Sequence, residues 1–161
     1  VKGSEKSLSA FKELAQGSGW RMLLCYGGVG NGKTHLCEAL VIELYSQGLF
    51  CRVMTMAKMM RTLKSTMNQD SVFSYDTVLE NWCRSPRLVI DDVGMGGSGS
   101  DWEFGQLEEI VVSRYRDRLL TVLTTNRDIK DLPERIVSRF RDTEIGRVVL
   151  NCADDYRPNK A

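Results

Sequence analysis

The residues whose types and spacing could do chemistry begin at Gly27-Gly28-Val29-Gly30-Asn31-Gly32-Lys33-Thr34. They fill every fixed position of the phosphate-loop pattern G-x-x-x-x-G-K-[S/T]. Glycines let the main chain turn tightly and aim several N–H groups at phosphate oxygens. The positive end of a following helix adds to that field. Lys33 would reach the β- and γ-phosphates of a nucleotide, and the Thr34 hydroxyl would ligate Mg²⁺. His35, the sole histidine, would face the phosphates with its main chain. An ATPase scheme needs no imidazole, so its ring is given no catalytic role. Gly27, Gly28, Val29, Gly30, Asn31, Gly32, Lys33, Thr34 and His35 are therefore the expected contacts of ATP or ADP.

Three further groups could complete that chemistry. Leu88-Val89-Ile90-Asp91-Asp92 is an apolar run ending in two carboxylates. Parallel sheets place ligands beyond the carboxyl ends of their strands. Asp91 would then face the Mg²⁺ held by Thr34, and Asp92 would orient or deprotonate the attacking water. Asp in place of a longer Glu shortens the reach by one methylene, which implies slow hydrolysis. Asn126 ends the run Thr124-Thr125-Asn126 and could hold that water against the γ-phosphate, although Asn also favours plain turns. Arg135 and Arg139 stand four apart, on one helical face. Arg139 is the candidate for an arginine that stabilises transition-state charge on a neighbouring subunit's nucleotide. The plain alternative is a solvated arginine, or one paired with Glu134 or Asp142.

The elements that must position these groups follow from hydrophobic periodicity. Leu8, Phe11 and Leu14 have helical spacing, and Gly17-Ser18-Gly19 ends that helix. Met22-Leu23-Leu24-Cys25-Tyr26 is a continuous apolar run, as in a strand buried on both faces. A helix from the phosphate loop stops near Gly48. Strands are expected over 50–56, 87–92, 119–124 and 148–150. Helices are expected around Met59, Met60, Leu63 and Met67, over 75–83, around Phe104, Leu107, Ile110 and Val111, and over 133–140. The stretch 94–100 is too rich in glycine for an element. Alternating strands and helices imply an α/β fold, a parallel sheet covered on both faces.

Composition narrows the partners. A chain of 161 residues is one domain by size. Lys and Arg number 22 against 21 Asp and Glu, so contact with nucleic acid needs a local patch. Lys58, Arg61 and Lys64 lie three apart on the polar side of one helix and could follow a DNA backbone. An ordinary solvated face explains them equally well. Arg114, Arg116 and Arg118 read as an exposed helix end. No apolar run approaches the ~20 residues of a membrane span. The five cysteines are odd in number and lack zinc spacing, so they read as reduced thiols of a cytoplasmic protein.

In this order, the phosphate loop, Asp91-Asp92, Asn126 and Arg139 resemble the AAA+ ATPases. The chain is most similar to the DnaC/DnaI/IstB branch, which comprises replicative helicase loaders and transposition helpers. Within that branch His35-Leu36, the trailing Val93-Gly94 and the tail Asp155-Tyr156-Arg157-Pro158-Asn159 also match. The resemblance implies a three-layer P-loop core with a five-stranded parallel sheet and no C-terminal helical lid. It implies one domain over 1–161, the C-terminal part of a longer loader that lacks its N-terminal helicase-docking segment. It also implies ATP at an interface between subunits, with Arg139 supplied in trans. The partners it implies are the replicative DNA helicase, single-stranded DNA and further copies of the chain. A transposition helper, a small-molecule kinase and a nucleotide-bound binding module with negligible turnover remain as alternatives.

Overall fold

In the computed structural model, which describes residues 2–68, 72–95 and 99–155, hydrophobic strands alternate with amphipathic helices. The elements run α1 (Glu5–Ala15), β1 (Met22–Gly27), α2 (Lys33–Ser46), β2 (Arg52–Thr55), α3 (Met56–Ser65), α4 (Tyr75–Arg84) and β3 (Arg87–Asp91). They continue with α5 (Asp101–Arg116), β4 (Leu120–Thr125), a 3-10 turn (Ile129–Asp131), α6 (Glu134–Arg141) and β5 (Gly146–Asn151). The tail residues from Tyr156 on, and Gly96, Gly97 and Ser98 of the glycine-rich stretch, lie outside the described residues.

All strand pairs are parallel, in the order β2-β3-β4-β1-β5. This is the expected three-layer α/β architecture with five strands. Period-two alternation splits the core in two. Leu23, Cys25, Val89 and Val122 face α1 and α2, where Phe11, Leu14, Leu40 and Leu44 pack. Met22, Leu24, Leu88, Ile90 and Leu123 face the other layer, built from α3, α4, α5 and α6.

The strand order decides where chemistry can occur. β4 lies between β1 and β3, in register Cys25↔Thr124 and Ile90↔Leu123. The carboxyl ends of β1, β4 and β3 therefore lie side by side. The phosphate loop, Asn126 and the Asp91-Asp92 pair leave the sheet at one edge.

Several boundaries differ from the sequence expectation. The second strand is shorter than 50–56, because the Thr55 hydroxyl accepts the Lys58 N–H and caps α3 from Met56 onward. Phe50 is exposed and packs edge-on against Tyr45. α3 ends at Ser65, so Met67 is exposed and Met56 takes the expected fourth core position.

Arg114 overturns its expected place on an exposed helix end: it is fully buried. It continues the inward stripe Leu107, Ile110, Val111 of α5. Its guanidinium donates to the carbonyls of Trp82 (2.7 Å), Ser85 (2.6 Å) and Leu120 (2.6 Å) and to the Thr121 hydroxyl (2.8 Å). The arginine thus satisfies the last carbonyls of α4 and ties them to β4. Burial pulls its pKa down to about 10.

Candidate nucleotide site

The phosphate loop is shaped by close approaches between backbones. A side chain at Gly27 would collide with the Asn151 carbonyl of the neighbouring strand. Gly32 caps α2 in the left-handed region, at φ 92°, and turns the chain into the helix. The first turn of α2 then aims its N–H groups, and the positive end of the helix, toward the loop.

Asn31 is buried and holds the loop to β5. Its Nδ2 donates to the Asn151 carbonyl (2.9 Å), and Asn151 Nδ2 donates back to the Asn31 carbonyl (3.0 Å). The Asn31 Oδ1 accepts from Lys33 Nζ (2.9 Å). Lys33 also donates to the carbonyls of Gly27 (2.9 Å) and Gly28 (2.6 Å). The ammonium is thereby held inside the loop, where an anion's charge would be met.

The carboxylates occupy two different settings. Asp91 is buried at the end of β3 and accepts hydrogen bonds from the Thr34 hydroxyl (2.8 Å) and the Thr124 hydroxyl. Asp92 turns the chain in the left-handed region, at φ 55°, a conformation more accessible to Asp than to most side chains. Its N–H donates to Thr124 Oγ1 (3.2 Å) and its Oδ1 accepts from Asn126 Nδ2 (3.4 Å).

Val29 to His35, Asp92, Met95 and Asn126 line one cleft of about 510 Å³, to which Asp91 is tied through Thr34. Among the described residues no group of three or more His, Cys, Asp or Glu could hold a metal. One carboxylate and one hydroxyl, Asp91 and Thr34, suit Mg²⁺, which keeps several waters and takes phosphate oxygens as ligands. The donor set therefore fits Mg²⁺ and a nucleotide phosphate together. Cys25, close behind, carries no thiolate: burial pushes its pKa to about 12, against the pull of Lys33 and with the push of Asp91.

The structure does not bring Arg139 into this cleft. Its guanidinium carbon lies 5.1 Å from the Tyr115 ring centre, and its Nε is buried without a hydrogen-bond partner. Arg135 pairs with Glu108 on the surface (3.0 Å). Of the proposed DNA contacts, Lys58 and Arg61 are exposed on α3, while Lys64 is ion-paired with the buried Glu103 (2.9 Å). Thr124, Asn151 and Met95 joined the site without being expected there. A threonine at the end of a strand beside Asp91 was the only signal for the first. Asn151 stands 120 positions from its partner, so local patterning carries none.

The sequence model of the family described as IstB-like ATP binding protein matches residues 6–151. The chain belongs to this family. The replicative helicase loader DnaC of Buchnera aphidicola subsp. Baizongia pistaciae is 30% identical over 145 residues, covering 86% of this IstB-like chain and 58% of the loader. This IstB-like domain thus spans little more than half the length of that relative. A crystal structure of the DnaC helicase loader superposes with TM-score 0.77 at 23% identity, over 94% of this chain and 91% of that one. The replication initiator DnaA bound to AMPPCP and single-stranded DNA superposes with TM-score 0.80 at 21% identity, over 96% and 48% of the two chains. These neighbours share the AAA+ fold. Among the described residues of the IstB-like chain, no helix is long and apolar enough to cross a membrane.

Proposed function

We propose that this domain binds ATP with Mg²⁺ and hydrolyses it slowly at a site shared between subunits, as the switch of a replicative helicase loader working on single-stranded DNA. The observation that carries the reading is the convergence of Lys33, Thr34, Asp92 and Asn126 on one cleft, with Asp91 bonded to Thr34 at 2.8 Å, while Arg139 stays outside it.

Within the cleft each residue has a distinct task. The loop N–H groups and Lys33 bind the phosphate tail and hold it in line for attack. Thr34 and Asp91 would hold Mg²⁺, which supplies charge neutralisation on the β- and γ-phosphates when bound. Asp92 accepts the proton of the attacking water, and Asn126 orients that water. Arg139 of an adjacent copy would complete the charge stabilisation, so that nucleotide state and assembly become linked. The helicase enters this reading through a relative named as a replicative helicase loader, and the DNA through the DnaA neighbour bound to single-stranded DNA.

Turnover that rises with protein concentration and falls for Arg139→Ala supports the shared site. Concentration-independent turnover, undisturbed by that change, would sink it. Membership of the IstB-like family is compatible with one second reading, the transposition helper that the sequence resemblance also implies. Capture of the replicative helicase by the full-length chain distinguishes the loader; capture of a transposase alone would favour the helper.

A further inference from the structure

Arg127 directly follows Asn126, and its side chain leaves the nucleotide cleft for the segment beyond Asp92. Its Nε donates to the Gly94 carbonyl (2.8 Å), and its guanidinium carbon lies 5.8 Å from the Phe104 ring centre in α5. A Cβ at Gly94 would lie 2.7 Å from that Nε, and one at Gly99 would lie 3.2 Å from Nη2. One side chain from the end of β4 thus bonds the chain after β3 at Gly94, leaves little room at Gly99, and lies against the first turn of α5. Gly94 is itself left-handed, at φ 75°, so another residue there would be strained as well as crowded.

This contact is the last of a series that joins the ends of β3 and β4. Asp92 N–H donates to Thr124 Oγ1, Val93 N–H to the Thr124 carbonyl (2.8 Å), and Thr125 Oγ1 to the Val93 carbonyl (2.8 Å). The Arg127 N–H donates in turn to Thr125 Oγ1 (3.0 Å). By contrast, the Asp92 carboxylate meets Asn126 only at 3.4 Å, a long and weak bond. The left-handed backbone at Asp92 and its bonds to β4 set the direction in which the side chain leaves the turn, and Arg127 fixes the outer end of that turn.

We propose that Arg127 is a positioning residue for ATP hydrolysis: by holding Gly94, and packing on Phe104, it keeps the left-handed turn that points Asp92 at the attacking water. The proposal rests on the ATPase reading. A guanidinium can bond a carbonyl edge-on while its face lies on an aromatic ring; an ammonium can do only the first with comparable geometry.

The test measures kcat and KM for ATP, affinity for a fluorescent ATP analogue, and Tm, in wild type, Arg127→Ala, Arg127→Lys and Asn126→Ala. Arg127→Ala should lower kcat by about 10- to 100-fold, the scale of a misplaced reacting group. KM and analogue affinity should stay within about twofold, because the binding contacts lie elsewhere. Arg127→Lys should fall between wild type and Arg127→Ala. Unchanged kcat in Arg127→Ala beside a clear loss in Asn126→Ala would overturn the proposal and leave the ATPase reading standing. A loss in Arg127→Ala that tracks Tm, with full activity in Arg127→Lys, would reduce Arg127 to a structural role. A wild-type protein without turnover, alone or concentrated, removes the ATPase reading and the proposal with it.

Discussion

Asn31 and Asn151 hold each other through two reciprocal amide-to-carbonyl hydrogen bonds, 2.9 and 3.0 Å long, and both are buried. The pair fastens the phosphate loop to the last strand of the sheet. Asn31 also accepts from Lys33, so its amide orientation sets where the ammonium stands. Asn151→Ala leaves Asn31 Nδ2 with the Asn151 carbonyl but strips the Asn31 carbonyl of its donor, at a cost of about 1–3 kcal/mol. A lower Tm and weaker ATP-analogue binding are expected together, read by thermal unfolding and fluorescence titration. Unchanged affinity would show that the loop keeps its shape without the clamp.

Glu103 gives the domain an acid-sensitive joint. It is buried in a capping box at the start of α5. Burial pushes its pKa up, but the Lys64 ammonium and the N–H groups of Ser100 and Gly99 outweigh burial and bring it down to about 2. The ionised carboxylate is thus favoured in the folded state. Its contribution is fully present above the ordinary value of 4.5 and is lost as pH falls through about 2. The size is of order 2–3 kcal/mol, allowing for the exposure of Lys64 to solvent. Denaturant unfolding across that window should show stability falling with pH in wild type, and a flatter slope in Glu103→Gln. Parallel slopes would place the acid sensitivity elsewhere.

Arg114 should be among the least replaceable residues. Its five N–H donors serve three carbonyls at 2.7 Å or less and the Thr121 hydroxyl. No lysine can reach that many partners from one ammonium. Arg114→Lys and Arg114→Met should each cost about 3 kcal/mol or more, because buried carbonyls are left unpaired. Chemical denaturation measures this directly; a loss under about 0.5 kcal/mol, the range of a surface change, would contradict the packing.

The basic side of α3 is exposed throughout, but one of its charges is committed to a partner. Lys58, Arg61 and Lys64 are all exposed, but Lys64 is also paired with Glu103 and lies 5.5 Å from the Trp102 ring centre, while Lys58 and Arg61 form no salt bridge among the described residues. If α3 follows a single strand of DNA, Arg61→Glu should weaken binding and lower the salt slope by about 0.7 for each lost phosphate contact. Lys64→Ala should do less. Salt-insensitive binding, or binding that ignores Arg61→Glu, removes the patch.

Much of this was legible in the sequence because it is local. The phosphate loop is eight consecutive residues, and Asp91-Asp92 closes a run whose apolarity marks a central strand. The alternation of elements gave the α/β layers. Strand order was not legible, since β4 reaches its place between β1 and β3 only through non-local pairing. Arg114 was misread because charge outweighed spacing: it sits three residues after Val111, on the apolar stripe. The Asn31–Asn151 clamp and the reach of Arg127 to Gly94 join loops from different strands. Their residue types, Asn and Arg, are also common in unremarkable turns.

The central claim, one ATP site built from two copies of the chain, is tested most directly by mixing two inactive variants. Lys33→Ala removes the phosphate contact and keeps Arg139; Arg139→Ala keeps the phosphate loop and removes the arginine. Each alone should hydrolyse little ATP. Mixed evenly, they should recover up to about a quarter of wild-type turnover, the share of interfaces that pair an intact loop with an intact arginine. Activity of Arg139→Ala alone at the wild-type level, or a mixture as silent as its parts, would contradict the shared site.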